Sequence, residues 1–171
     1  MIRGIIGVIP SHAVEAGRFY MAPSYQGGPR LFQCIQTQEP IEDGFKRKAL
    51  IYTESGKTIL CFSDVPDHTP LLALDDVHIR VDPTSLADDS STTRLKRGLF
   101  IIRDDHAIFC APAGFREWGT VNLSTGHLGS GSIGSNWLSF NRWSLVMDDE
   151  AGDELTIASF ENTHENTGGY Y

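Results

Sequence analysis

Apolar and polar positions along this chain alternate within short runs of roughly four to eight residues, not in the three- and four-residue steps of an amphipathic helix, and this pattern predicts strands. The runs fall at about 2 to 9, 31 to 37, 48 to 53, 57 to 62, 77 to 81, 98 to 103, 106 to 110, 120 to 124, 142 to 147 and 155 to 160, separated by Gly, Pro, Asp and Ser. Runs at this spacing predict an all-β fold of about ten short strands, an antiparallel barrel or a two-sheet sandwich. Between 76 and 82 the alternation is strict: Val77, Ile79 and Val81 are expected to face a core, and Asp76, His78, Arg80 and Asp82 to face outward. Ile59-Leu60-Cys61-Phe62 and Leu99-Phe100-Ile101-Ile102 are apolar in both phases, so each is expected to be a central strand covered on both faces.

Helical periodicity is confined to two short pieces. Ser11 is expected to cap a turn or two through Ala16, and Pro83 to open a turn through Ala87 with Asp82 as its cap. Asp88 to Thr93 reads as an exposed loop and 162 to 171 as a poorly ordered tail. No linker divides the chain, so 1 to 171 is read as one domain.

Residues 46 to 61 laid on 96 to 110, with Gly56 as an insertion, match at Lys46, Arg47, Ile51, Ile59 and Cys61 against Lys96, Arg97, Ile101, Ile108 and Cys110. Each copy predicts a β-hairpin, and Arg142 to Phe160 predicts a third around the acidic loop Asp148 to Glu154. Such a hairpin repeat allows a duplication, with a three-fold β-trefoil as an alternative architecture.

Composition narrows the setting. Leu, Ile, Val and Phe make up about a quarter of the 171 residues, enough for a packed core and too many for a disordered chain. The protein is acidic, with a net charge of −8, and residues 117 to 171 carry eight acids and one base, Arg142. A nucleic-acid backbone is repelled there, and the basic clusters Lys46-Arg47-Lys48 and Arg94-Lys96-Arg97 read as solvated strand ends, so no nucleic-acid partner is expected. The cysteines Cys34, Cys61 and Cys110 lack C-x-x-C spacing and read as free thiols in a reducing, cytoplasmic compartment. The apolar run from Gly4 to Ile9 is too short for an export signal and reads as a first strand, and no run is long enough to span a membrane.

Candidate chemistry is sparse. Gly129-Ser130-Gly131-Ser132-Ile133-Gly134 matches G-x-G-x-x-G, yet a dinucleotide site requires that motif inside a βαβ unit, and the residues around it are strand-like. Ser124 to Asn136 is better read as a surface loop for recognition, with His127, Ser130, Ser132 and Ser135 as hydrogen-bonding groups and Trp137 as its aromatic flank. Trp143, in phase with Leu145 and Met147, is expected to be buried. His106 and Cys110, four apart on one strand, lie about 13 Å from each other and form no dyad. Asp76 and His78, two apart on one strand face, could supply two ligands of a Zn²⁺ or Fe²⁺ site if a third came from elsewhere. The acidic loop Asp148 to Glu154 lacks the ligand spacing of a calcium loop. The pattern therefore points to a non-enzymatic binding or assembly module, without a cofactor, that recognises a protein or a small polar or carbohydrate ligand or associates with itself. The alternative is a small hydrolase or metal-dependent enzyme using Asp76 and His78.

Overall fold

A computed structural model describes residues 5–23, 28–41, 44–66, 69–86, 99–103, 106–113, 117–130, 138–149 and 151–161. The fold is all-β. Its strands are β1 (Ile5–Pro10), β2 (Phe19–Ala22), β3 (Arg30–Ile41), β4 (Gly44–Glu54), β5 (Lys57–Asp64), β6 (Pro70–Leu74), β7 (His78–Val81), β8 (Leu99–Arg103), β9 (His106–Ala113), β10 (Glu117–Asn122), β11 (His127–Ser130), β12 (Leu138–Phe140), β13 (Arg142–Asp148) and β14 (Glu154–Glu161). All ten expected strands form. The four additional ones, β2, β6, β11 and β12, have three to five residues each, too few to establish a period in sequence.

The strands form two sheets. In the larger, β1, β6, β2, β3, β4 and β5 lie side by side and antiparallel. β3 is the branch point: β2 pairs with its first residues, Arg30 to Gln33, while β11 meets the same strand farther along, in a parallel bridge from His127 to Gln36. From β11 the sheet continues through β10, β9 and β8 to β12. The second sheet has the order β14, β13, β7. Among the described strands no barrel closes, and the pairings carry no three-fold repeat of the kind a trefoil requires; the arrangement is sandwich-like.

Alternation along these strands divides the apolar side chains between two clusters. Phe19, Leu31, Leu50, Tyr52 and Leu60 of the larger sheet pack against Trp143, Leu145 and Ala158 of the three-stranded sheet. Tyr20, Phe32, Cys34, Ala49, Ile51 and Leu71 point to the opposite face, where Val14, Ile9 and Val65 join them. Among the described strands β5 pairs with β4 alone, so it is an edge strand and not the central one expected. It still contributes to both clusters, Leu60 and Phe62 to the first and Ile59 and Cys61 to the second, as its doubly apolar pattern predicts. β8 follows suit in part: Ile101 is buried and Ile102 packs on the first cluster. Val77, Ile79 and Val81 face that cluster too, with His78 and Arg80 outward.

One buried polar side chain ties the branch point together. Gln33 of β3 accepts a hydrogen bond from the Tyr52 hydroxyl at 2.9 Å and donates to the carbonyls of Gly17 at 2.8 Å and Leu123 at 2.6 Å. The segment before β2 and the β10–β11 turn are thereby latched onto the same residue. They touch directly as well. Gly126 adopts φ +69°, and a Cβ there would overlap the backbone of Gly17.

The local turns follow their sequences unevenly. Asp82 caps the 3-10 turn Pro83–Ser85, accepting from the Thr84 amide at 2.8 Å, although the turn ends before Ala87. The other 3-10 turn, Ser11–Ala13, has no side-chain cap: Ser11 lies inside it, and Arg47 instead donates to the Val14 carbonyl at 2.6 Å just beyond it. All three expected hairpins form, but the two matched copies differ in register. Ile51 sits opposite Cys61, whereas its counterpart Ile101 sits opposite Ile108. The Gly56 insertion shifts the first copy by one residue at the turn, and a register shift between Ile51 and Thr53, with the extra residue on β5, adds another. The Asp88 to Thr93 loop and the 162 to 171 tail lie outside the described residues.

Candidate functional site

The outer face of the three-stranded sheet carries a half-open groove of about 600 Å³ whose lining includes Arg80, Asp82, Arg142, Ser144, Ser159 and Glu161. Register explains why a depression forms there. Arg80, Ser144 and Ser159 stand in one cross-strand row of β7, β13 and β14, and Arg142 and Glu161 stand in the next. The two serines are too small to fill the middle of the row, and their hydroxyls approach each other only to 3.5 Å. Each arginine is held by a carboxylate. Arg80 reaches across β13 to β14, where it is ion-paired with Glu154 and its Nη2 lies 3.5 Å from Thr156 Oγ1, while Arg142 turns from its cross-strand neighbour Glu161 towards Asp82, with Nε to Oδ2 at 2.9 Å and Nη2 to Oδ2 at 2.8 Å.

Asp82 is held for that role. Its carboxylate accepts from the Thr84 hydroxyl at 2.6 Å and the Thr84 amide at 2.8 Å, and these bonds, followed by Arg142, keep its carboxyl below the usual carboxylate range. The backbone on either side is stitched as well. Asp82 N donates to the Arg142 carbonyl at 3.0 Å, Ser85 Oγ accepts from Arg142 N at 2.9 Å, and Asn141 N donates to the Ser85 carbonyl at 2.9 Å. Below the groove, Trp143 and Phe160 stack with ring centroids 3.9 Å apart, and Tyr52 meets Trp143 edge-on at 6.3 Å. Stacked and edge-on rings of this kind form a stiff base, so the groove rests on the packed centre of the first core cluster.

Chemically, the groove offers guanidinium and hydroxyl donors beside carboxylate acceptors. Its four charged walls, Arg80, Arg142, Asp82 and Glu161, balance. Among the described residues Glu161 has neither a hydrogen-bond nor an ion-pair partner, because Arg142 is engaged elsewhere.

The residues singled out in sequence are distributed differently. The stretch read as a loop from Ser124 to Asn136 begins as a hairpin. Asn122 accepts from the amides of Ser124 at 3.0 Å and Thr125 at 3.2 Å, Gly126 N returns to the Asn122 carbonyl at 2.7 Å, and His127–Ser130 then pairs with β10 as a strand. An Asn side chain that holds the following amides is a turn former, and that signal was present in Asn-Leu-Ser-Thr-Gly. His127 is exposed at the start of β11, and Ser130 pairs with Gly119 at its end. Ser132, Ser135 and Trp137 lie outside the described residues. Trp143 is buried, as its phase predicts.

Asp76 precedes β7 in a left-handed conformation with φ +56°, so it is not an in-phase strand position beside His78. His78 Nδ1 lies 3.1 Å from the Asp76 carbonyl oxygen, and Nε2 is 3.7 Å from Glu154. Among the described residues no group of three or more His, Cys, Asp or Glu is arranged to hold a metal ion. Nor, among them, is any helix long and apolar enough to cross a membrane.

Of the groove residues, Arg80 and Asp82 were visible in sequence as outward positions. Their meeting with Arg142, Ser144, Ser159 and Glu161 depends on β13 pairing with β7 across some sixty residues of chain, which no local pattern encodes. Comparisons with family models, with curated proteins and with solved structures return no match.

Proposed function

We propose that this chain is a non-enzymatic binding module whose groove across β7, β13 and β14 takes a small hydroxyl-rich ligand, a short saccharide being the class its chemistry fits. The observation that carries this reading is the serine-floored depression lined by two arginines, each fixed by a carboxylate of the protein. A saccharide presents neighbouring hydroxyls that each donate and accept, and it is matched by planar guanidinium and carboxylate groups set beside hydroxyls. The Asp82–Arg142 and Glu154–Arg80 pairs orient their guanidiniums before any ligand arrives, which lowers the ordering cost of binding. Acidic residues around the same sheet oppose a nucleic-acid ligand. The buried thiol of Cys34, outside any disulfide, fits a reducing, cytoplasmic setting.

The test is a titration of isotope-labelled protein with a panel of neutral oligosaccharides at millimolar concentration, read by amide chemical shifts. Saturable changes centred on Arg80, Ser144 and Ser159 are expected. The double variant Ser144→Leu, Ser159→Leu, at positions outside the core, should abolish them with little change in unfolding midpoint. A panel that perturbs nothing, or only residues away from this sheet, overturns the reading.

A further inference from the structure

We infer that Glu161 is a cation subsite, so that the ligand of the groove is a saccharide bearing a primary ammonium group, such as an amino sugar; this inference rests on the groove being the binding site. The argument begins with charge pairing inside the groove. Arg80 is matched by Glu154 and Arg142 by Asp82, so both guanidiniums are neutralised by the protein itself. Glu161 lines the same groove and is the wall charge left over, although its strand position is directly opposite Arg142.

That mismatch has a structural cause. Asp82 is positioned by two Thr84 hydrogen bonds and presents its carboxylate to Arg142 Nε and Nη2, while Arg142 Nη2 also donates to Thr84 Oγ1 at 3.0 Å. Arg142 thus gains an ordered, multiply bonded site at the 3-10 turn, where Glu161 could offer only an exposed pair on a strand edge. The outcome is a carboxylate beside a serine-floored groove with no cation of the described residues on it.

The surrounding field points the same way. Asp148, Asp149, Asp153 and Glu154 belong to this sheet and its connecting loop, and the whole chain carries −8, so a cationic ligand is drawn in and an anionic one repelled. A ligand ammonium at Glu161 would leave its hydroxyls to Ser144, Ser159 and the unused guanidinium protons of Arg80. A carboxylate or phosphate ligand would instead have to displace Glu154 or Asp82 from their arginines.

The experiment compares two trisaccharides that differ only at the amine, the trimer of glucosamine and the trimer of N-acetylglucosamine, at mildly acidic pH where the sugar amines are protonated. Affinities are measured by the same shift titration for the wild type and for Glu161→Gln. The glucosamine trimer should bind up to about fivefold more tightly at low salt, the upper end of the gain from an exposed ion pair, and the preference should fade as salt is raised. Glu161→Gln keeps the shape and removes the charge, so the two trimers should then bind alike. If both trimers perturb the groove equally in the wild type, or if the preference survives in Glu161→Gln, the cation subsite is refuted and the saccharide groove stands. If neither trimer perturbs Arg80, Ser144 or Ser159, and the neutral panel also fails, the groove reading falls with it.

Discussion

Replacing Gln33 with Leu should be among the most damaging single substitutions in the chain, although Leu matches it closely in size. Gln33 is completely buried, and its amide makes three hydrogen bonds: one accepted from Tyr52 and two donated to the carbonyls of Gly17 and Leu123. Leu fills the space, so the cavity contribution is small and the loss is polar. Two carbonyls lose their amide donor and Tyr52 loses its acceptor. At about 1 to 3 kcal/mol for each buried group deprived of its bond, and with some relief where water can reach the Gly17 segment, the total comes to about 3 to 6 kcal/mol. That is a large part of an ordinary domain's stability of about 5 to 15 kcal/mol.

Urea unfolding reports this as a lower midpoint at an unchanged slope. A double-mutant cycle isolates the bond itself: Tyr52→Phe should cost about 1 kcal/mol in the wild type and should be neutral or stabilising in the Gln33→Leu background, where its hydroxyl has already lost the Gln33 acceptor. A loss below about 1 kcal/mol for Gln33→Leu, or a Tyr52→Phe effect that is the same in both backgrounds, would refute the view that Gln33 locks the branch point.

Further outcomes are expected from the same structure. Gly126→Ala places a Cβ into the backbone of Gly17 at a positive φ, so thermal unfolding should show a loss of several kcal/mol or failure to fold, whereas Gly56→Ala, with open space around it, should cost only about 1 kcal/mol for its φ of +72°. Burial pushes the Cys34 thiol up from 9.0 to about 11 and raises the Tyr52 and Tyr20 hydroxyls, so the native state holds these protons more tightly than the unfolded chain does. Stability should therefore be intact below about pH 9 and fall as pH rises towards about 11, a decline that Cys34→Ala should lessen; denaturant titrations at stepped pH test this. Cys34 should also react with a thiol reagent only at the rate of unfolding, and prompt labelling in native conditions would contradict its burial. Asp82→Asn should release Arg142 from the turn, and in the glucosamine titration it should weaken the amine preference by freeing a guanidinium to reach Glu161.

The class of fold was written in the sequence because it depends on local periodicity. Strict alternation through Val77, Ile79 and Val81, and the two-phase apolar runs at 59 to 62 and 99 to 102, follow from the two-residue repeat of a strand whatever it pairs with. The Asp82 cap was legible for the same reason, since a carboxylate and the amide two residues on need no other part of the chain. What sequence could not convey was association. β2, β6, β11 and β12 are too short to signal themselves and exist because long neighbours offer them an edge. Gln33 looked like an ordinary polar position of a strand until the Gly17 and Leu123 carbonyls arrived beside it. The matched hairpins at 46 to 61 and 96 to 110 share residues but not register, because the extra Gly56 in one turn and a bulge beyond it each move every later pair by one. The groove is the clearest case. Asp82, Arg142 and Glu161 are scattered along the chain, and which carboxylate takes the arginine is decided by the turn that fixes Asp82, a choice made only once β7, β13 and β14 lie side by side.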